Sequence, residues 1–165
     1  MRIIEVATAV IVDLENGRCL YGLRPDDGDR PGLYEHPGGK RETGESMGGA
    51  LVRELREELG TDLVLDVPGW PAADGMPLAG RLDRAGPFGV ASVDLVTHTI
   101  VLAMFGLCIV EGTPRPLVHK ALRWADPQHA VDRMPCSPMT YPLHRALCSW
   151  LEVNRIARRG GWADL

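Results

Sequence analysis

The chain has 165 residues, 45% of them hydrophobic, and a formal net charge of −4. This length and apolar content predict a single compact domain over residues 1–165. The negative charge argues against nonspecific binding of nucleic acid, but it allows a polyphosphate to be held through metal ions.

The cysteines and the apolar runs indicate the compartment. The cysteines form no CxxC pair, which favours free thiols in a reducing cytosol over disulfides or zinc; they are Cys19, Cys108, Cys136 and Cys148. The longest uncharged apolar run, residues 100–110, is too short to cross a bilayer. Glu5 interrupts the apolar N-terminal segment and no evident cleavage site follows, so a signal peptide is not expected. We therefore expect a cytoplasmic protein without a membrane partner.

The first part of the chain predicts strands and turns. Residues 3–12 are rich in β-branched side chains and predict a buried strand. Glu15-Asn16-Gly17 predicts a hairpin turn into a second strand over residues 18–23. A polar, turn-rich loop follows, then a short strand over residues 33–36 and a glycine-rich turn over residues 37–40.

A helix is predicted over residues 46–59. Leu51, Leu55 and Leu59 recur every fourth residue and make one apolar stripe. Glu45 or Ser46 occupies the position expected for an N-cap.

The second half of the chain predicts strands, one long loop and a closing helix. Glycine and proline are so frequent over about residues 68–91 that we expect an extended loop there, of the kind that serves as a lid or an interface. Strands are predicted over residues 62–67, 93–110 and 118–124. A short turn or helix follows Asp126, and an amphipathic helix over about residues 141–158 is expected to pack against the sheet.

Three carboxylates share one face of the helix predicted over residues 46–59. Glu54, Glu57 and Glu58 are three and four residues apart, so at roughly 100° per residue they lie together. They repel one another unless a cation lies among them, and a single guanidinium, Arg53, cannot neutralise three acids. Hard oxygen ligands of this kind suit Mg²⁺ or Mn²⁺. A solvated helix face is the alternative, but it would normally interleave Glu with Lys.

The same residues match a known motif. In the Nudix box, G-x5-E-x7-R-E-U-x-E-E-x-G-U, U is an aliphatic residue; the fixed positions correspond here to Gly39, Glu45, Arg53, Glu54, Leu55, Glu57, Glu58 and Gly60. Only the last position departs, where Thr61 stands. The chain therefore resembles the Nudix hydrolases. This resemblance implies an α/β fold, the Nudix α/β/α sandwich, with a mixed β-sheet between helices.

The resemblance implies a metal centre and its ligands. Glu54, Glu57, Glu58 and the Gly38 carbonyl would hold Mg²⁺, with Mn²⁺ as an alternative. Glu57 or Glu58 would accept the proton of the attacking water. Arg53 would hold these carboxylates in place and belongs with the catalytic residues.

Further residues are expected around the substrate. Glu45 would tether the loop to the helix. Lys40 and Arg24 are candidates for binding phosphate, although an isolated surface arginine is an equally good interpretation of Arg24.

Residues 34–40 resemble the W-E-F-P-G-G-K run of the MutT-like branch, the nucleoside triphosphate pyrophosphohydrolases. Tyr34 and His36 replace its two aromatic residues, so His36 is a candidate base contact, although a lone histidine is more often structural. Thr140 stands where MutT proteins place an Asn or Asp that reads the base. A strict 8-oxoguanine reader would be expected to keep the amide.

Residues 118–124 resemble the E-H-x-x-L-R-W strand of MutT-like members. Val118 replaces an acid that is sometimes the catalytic base. This departure shifts water activation to the box glutamates, to Glu111 or to His119, and His119 is also counted among the substrate-binding candidates.

The resemblance thus implies Mg²⁺-dependent hydrolysis of a nucleoside diphosphate linked to another moiety, with a nucleoside triphosphate yielding a monophosphate and pyrophosphate. One alternative is a nucleotide sugar or another biosynthetic pyrophosphate as substrate. Another is a non-catalytic nucleotide sensor, against which the intact glutamates argue. The expected partner is a small-molecule nucleotide, and many relatives form homodimers.

Overall fold

The computed structural model describes residues 2–28, 30–68 and 75–154. Four strands precede the first helix, and the described part of the chain ends with two helices. In chain order they are β1 (Arg2–Val12), β2 (Cys19–Leu23), β3 (Tyr34–Glu35), β4 (Gly38–Lys40), α1 (Met47–Leu59), β5 (Val64–Asp66), α2 (Leu78–Ala85), β6 (Gly89–Asp94), β7 (His98–Glu111), β8 (Ala121–Ala125), α3 (Pro127–Arg133) and α4 (Thr140–Val153).

A mixed sheet forms the middle layer. Its centre is the parallel pair β1 and β7, which runs from Arg2 opposite His98 to Val12 opposite Cys108. The other strands pair antiparallel: β2 and β4 with β1, β5 and β6 with β7, and β3 and β8 with β2. The long β-branched strand β1 suits a central position because both of its faces are covered.

Alternate residues of β1 contribute to two hydrophobic cores, because successive side chains of a strand point to opposite faces. Ala7, Ala9 and Ile11 pack with the buried leucines of α1. Val10 and Val12 pack with the buried side of α4. Helices therefore cover both faces of the sheet, and the predicted α/β/α sandwich is confirmed.

Helix α1 begins and ends where its sequence predicts. The Ser46 side chain caps it by accepting a hydrogen bond from the Gly49 N–H at 3.0 Å. Leu51, Leu55 and Leu59 are buried as one stripe.

The extended loop predicted over about residues 68–91 is wrong in part, because residues 78–85 form α2. Residues 69–74 of that prediction lie outside the described residues. Helix α2 packs against α1, where the Gly48 N–H donates to Asp83 at 2.7 Å. Leu82 of α2 is fully buried, and Leu78 and Ala85 pack against the same core, so α2 presents a short apolar stripe to α1 and the sheet.

Other boundaries also differ from the predictions. Residues 93–110 do not form one strand, since β6 ends at Asp94 and β7 begins at His98 after a turn. The turn predicted over residues 37–40 is largely strand β4, paired with β1. Strand β8 begins at Ala121 rather than at residue 118. The last residues of the predicted closing helix, 155–158, lie outside the described part of the chain.

The cysteines are free thiols, as predicted. No helix among the described residues is long and apolar enough to span a membrane.

Candidate active site

Arg53 connects the loop before α1 to the helix itself. Its guanidinium donates to the Glu45 carboxylate at 2.8 and 3.0 Å and to the Lys40 carbonyl at 2.9 Å. It also donates to Glu54 at 2.8 Å and lies 3.7 Å from Glu57. The hydrogen bonds from Arg53 lower the pKa of Glu45 to about 2. One arginine thus orients the loop and two carboxylates of α1.

Glu58 and Glu57 differ in exposure although they are adjacent. The Glu58 side chain is buried and accepts a hydrogen bond from the Gly38 N–H at 2.8 Å. Burial raises the pKa of Glu58 to about 7, even though the charge of His119 and the Gly38 N–H oppose the shift. The Glu57 side chain is 57% exposed.

Two glycines allow β4 to approach these carboxylates. A methyl group at Gly39 would overlap the Glu54 carboxylate. Gly38 has a φ of 140°, and a methyl group there would overlap the Ala7 carbonyl. The backbone of β4 therefore lies directly against the carboxylates of α1. We call Glu54, Glu57 and Glu58 the acidic face.

The chemistry of the acidic face fits a hard divalent cation, because carboxylate and carbonyl oxygens are the ligands such ions prefer. Within the described residues, no group of three or more His, Cys, Asp or Glu side chains is already arranged to hold a metal. Arg53 orients Glu54 and the Gly38 N–H orients Glu58. Each hydrogen bond engages one of the two carboxylate oxygens, so Glu54 and Glu58 can keep these partners while their other oxygens face a cation.

A cleft of about 500 Å³ lies beside β1. Its β1 residues, among them Val6, are on the α4 side of the sheet, opposite α1. Hydroxyl groups and an imidazole supply its buried polar lining, from Thr8, His36, Ser137 and Thr140. Its charged or titratable lining comes from Arg24, Arg30, Glu35, Lys40 and His98. Its apolar lining comes from Ile4, Val6, Leu95, Ile100, Leu102, Met104 and Met139.

Four residues predicted to bind substrate line this cleft: Arg24, His36, Lys40 and Thr140. His119 is not among its lining residues. It lies between Gly22 and Glu35 instead, with its Nε2 3.6 Å from the Glu35 carboxylate.

Sequence reasoning missed several lining residues, namely Arg30, Glu35, His98, Ser137 and Met139. Glu35 had a local signal, because it stands beside His36 in the run that resembles the MutT-like branch. It accepts a hydrogen bond from Arg24 at 2.6 Å. His98 and Ser137 had none, since they reach the cleft only through the pairing of distant strands and the loop before α4.

His36 contributes a buried imidazole to the lining of the cleft. Its ring packs on Tyr21, with 4.6 Å between the ring centroids. Burial lowers the pKa of His36 to about 4. Both ring nitrogens are buried, and hydrogen bonding with the Leu20 backbone opposes part of the pKa shift.

Comparison with known proteins establishes the family. A model of the NUDIX domain matches residues 4–146. The chain belongs to the Nudix family. This Nudix hydrolase is 34% identical over 146 residues to the CTP pyrophosphohydrolase of Escherichia coli strain K12, covering 88% of this chain and 92% of that protein. It is 40% identical over 60 residues to the 8-oxo-dGTP diphosphatase of Proteus vulgaris, covering 36% of this chain and 53% of that protein.

Solved structures agree with this assignment. The solution structure of the E. coli ORF135 protein has a TM-score of 0.68 at 30% identity, covering 99% of this chain and 96% of that chain. The crystal structure of a MutT protein from Methanosarcina mazei Go1 has a TM-score of 0.66 at 17% identity, covering 93% of this chain and 96% of that chain. The predicted Nudix fold, hydrolase class and MutT-like branch are thereby confirmed. Nudix hydrolases generally use divalent metal cations.

Proposed function

We propose that this Nudix hydrolase converts nucleoside triphosphates to nucleoside monophosphates and pyrophosphate, with CTP as its preferred substrate. The observation that carries the proposal is the cleft of about 500 Å³, which combines a hydroxyl-rich buried lining with arginine and lysine side chains. Lys40 of β4 lines the cleft, and the β4 backbone also lies against the acidic face. Such a cleft suits a base at its buried end and phosphates toward its cations. The choice of cytosine follows the name of the E. coli relative that is matched over most of this chain.

Glu54, Glu57, Glu58 and the Gly38 carbonyl would hold the cation, and we propose Mg²⁺, with Mn²⁺ as a substitute. A bound divalent cation supplies neutralisation of phosphate charge and a more acidic water. Arg53 keeps Glu54 and Glu57 oriented.

The chain's own groups bind the substrate and move the proton. Lys40 and Arg24 would bind the phosphates, since both line the cleft and Arg24 presents a planar donor fork. Glu57 or Glu58 accepts the proton of a water that attacks, in line, one phosphorus of the linkage between the α- and β-phosphates; the P–O–P bond breaks and releases the monophosphate and pyrophosphate. Glu45 holds the loop that carries Lys40, through Arg53.

His36 and Thr140 would contact the base. Both are buried and line the cleft, and an imidazole can donate or accept a hydrogen bond through its ring nitrogens. His36→Phe keeps an aromatic ring on Tyr21 but removes that capacity. We expect it to reduce the preference for CTP over purine nucleotides by about tenfold in the ratio of kcat/KM, because a site built for a hydrogen bond discriminates through it.

The test is phosphate release from a panel of nucleoside triphosphates and nucleotide sugars with Mg²⁺, measured with and without added inorganic pyrophosphatase. The proposal expects phosphate from CTP only when pyrophosphatase is present. A preference for 8-oxo-dGTP would overturn the choice of base, and a preference for nucleotide sugars would overturn the substrate class. No turnover of any nucleotide, together with nucleotide-dependent thermal stabilisation, would mean a sensor.

The cellular compartment and the oligomeric state of the enzyme are part of the same proposal. The free thiols favour a reducing cytoplasm. We propose a homodimer of single-domain chains that binds nucleotides rather than nucleic acid. Light scattering after gel filtration measures the oligomeric state directly.

A further inference from the structure

His119 fills a space between β2 and β3. It is 5% exposed, and a methyl group at Gly22 of β2 would overlap its ring. Its Nε2 faces the Glu35 carboxylate at 3.6 Å. Its Nδ1 is buried and has no hydrogen-bond partner among the described residues. The position of the ring therefore depends on the absence of a side chain at Gly22 and on the carboxylate of Glu35.

The segment that carries His119 joins α1 to β2. The Arg115 N–H donates to the Leu59 carbonyl at 2.9 Å, and the Leu117 N–H donates to the Glu58 carbonyl at 2.9 Å. At the other end, the Lys120 N–H donates to the Leu23 carbonyl at 2.8 Å. The backbone around His119 is thus fixed to the helix of the acidic face on one side and to the sheet on the other.

His119 interacts with carboxylates that belong to both halves of the site. Burial lowers the pKa of His119, but Glu35 and the charge of Glu58 outweigh that effect and raise it above its ordinary value. Glu35 lines the cleft and accepts a hydrogen bond from Arg24. Glu58 belongs to the acidic face. The ring faces Glu35 directly, and the segment that carries the ring is hydrogen-bonded to the Glu58 backbone through the Leu117 N–H.

We propose that His119 is a positioning residue that fixes the Glu35 side of the cleft relative to Glu58 on the acidic face. Its ring touches neither substrate nor reacting atoms and acts through the two carboxylates. A substitution far from the reacting atoms that displaces a catalytic group by about 1 Å can lower the rate by about 100-fold. Alignment of the two halves of the site is therefore a sufficient role for a buried residue. The choice of CTP as probe rests on the proposed function, whereas the geometric part of the inference does not.

Gly22→Ala tests the position of the ring without removing it. We expect kcat for CTP to fall by about tenfold, while KM changes by less than about threefold, because the ring supports the site without contacting substrate. Affinity for Mn²⁺, titrated by electron paramagnetic resonance without nucleotide, should also fall by about tenfold. Gly80→Ala is the matched control, because a methyl group there meets only the flexible Met76 side chain, at 3.2 Å. It should behave as the parent does.

His119→Ala and His119→Gln separate positioning from simple filling of space. His119→Ala should lose at least as much kcat as Gly22→Ala, and His119→Gln should recover part of that loss because its amide can donate toward Glu35. His129→Gln is the histidine control, since His129 lies on α3 and pairs with Asp126, the N-cap of that helix. Thermal unfolding followed by circular dichroism verifies that each variant is folded.

Parent-like kcat and Mn²⁺ affinity in folded Gly22→Ala and His119→Ala would overturn the proposal. If those two variants do not fold, the His119→Gln variant decides the question. A kcat below that of the parent supports the proposal, whereas parent-like kcat with parent-like Mn²⁺ affinity contradicts it. If the parent hydrolyses no nucleotide, the proposed function fails, whereas the Mn²⁺ titration still decides the alignment of Glu58.

Discussion

The acidic face takes its residues from one continuous stretch of chain, whereas the cleft collects residues from distant parts of it. Glu45, Arg53 and Glu54 are joined by hydrogen bonds that span at most eight positions of sequence. The cleft brings Thr8 and Thr140 to the same cavity. The first region can therefore form from a local motif, but the second needs the whole sheet. This difference indicates that reaction type and substrate choice can change independently, and variants of Arg53 and Thr140 test that separation directly.

The largest effect is expected from Glu57→Gln. The substitution removes the negative charge of a proposed cation ligand, which should lower activity by about 100-fold or more. Because the Glu57 side chain is exposed, the fold should stay intact. Steady-state turnover and thermal unfolding measure the two effects. Glu152→Gln, exposed on α4, is the control. Turnover like that of the parent would show that Glu57 has no role in holding the cation.

Arg53→Lys should have the next largest effect. Lysine keeps the charge but cannot donate to Glu45 through two nitrogens while also reaching the Lys40 carbonyl. We expect kcat to fall by about tenfold with the nucleotide preference unchanged. Arg56→Lys, exposed on the same helix, should retain parent kcat. A changed nucleotide preference in Arg53→Lys would contradict the separation of the two regions.

Thr140→Asn should change selectivity more than rate. Thr140 is buried and lines the cleft, so an amide there offers the base a different set of hydrogen bonds. We expect the ratio of kcat/KM between CTP and purine triphosphates to change by about tenfold. The panel of nucleotides measures it, with Thr113→Asn on an exposed loop as control. An unchanged substrate profile would remove Thr140 from the site.

The smallest effect is a pH dependence of stability at Glu45. Its pKa in the folded chain is about 2, below the ordinary 4.5. Its pairing with Arg53 therefore stabilises the fold fully above pH 4.5, and this contribution is lost as the pH falls from 4.5 toward 2. The difference in Tm between the parent and Glu45→Gln should shrink over that interval. Glu42→Gln is the control on the same loop, and a difference that stays constant with pH would contradict the assignment.

The same contrast explains what the sequence could predict. The box residues, the helix they occupy and its leucine stripe all follow from spacing within a few turns. Helix α2 was missed because its apolar stripe, Leu78, Leu82 and Ala85, lies on a helix of only eight residues in a segment rich in glycine and proline.

The cleft was predictable only in part, for a different reason. His36, Lys40 and Thr140 could be assigned through resemblance to the MutT-like branch, and Arg24 through its position at the end of a predicted strand. His98 reaches the site because β7 lies parallel to β1, so that His98 stands opposite Arg2. No local pattern encodes a pairing of residues so far apart. The orientation of His119 likewise depends on the lack of a side chain at Gly22 in another strand.

The most direct test of the central claim is phosphorus NMR of the products formed from CTP and Mg²⁺ by the parent chain. The account predicts CMP and pyrophosphate in equal amounts, with no free phosphate and no CDP. Formation of CDP and phosphate, or no reaction with CTP or any other nucleoside triphosphate, would contradict it.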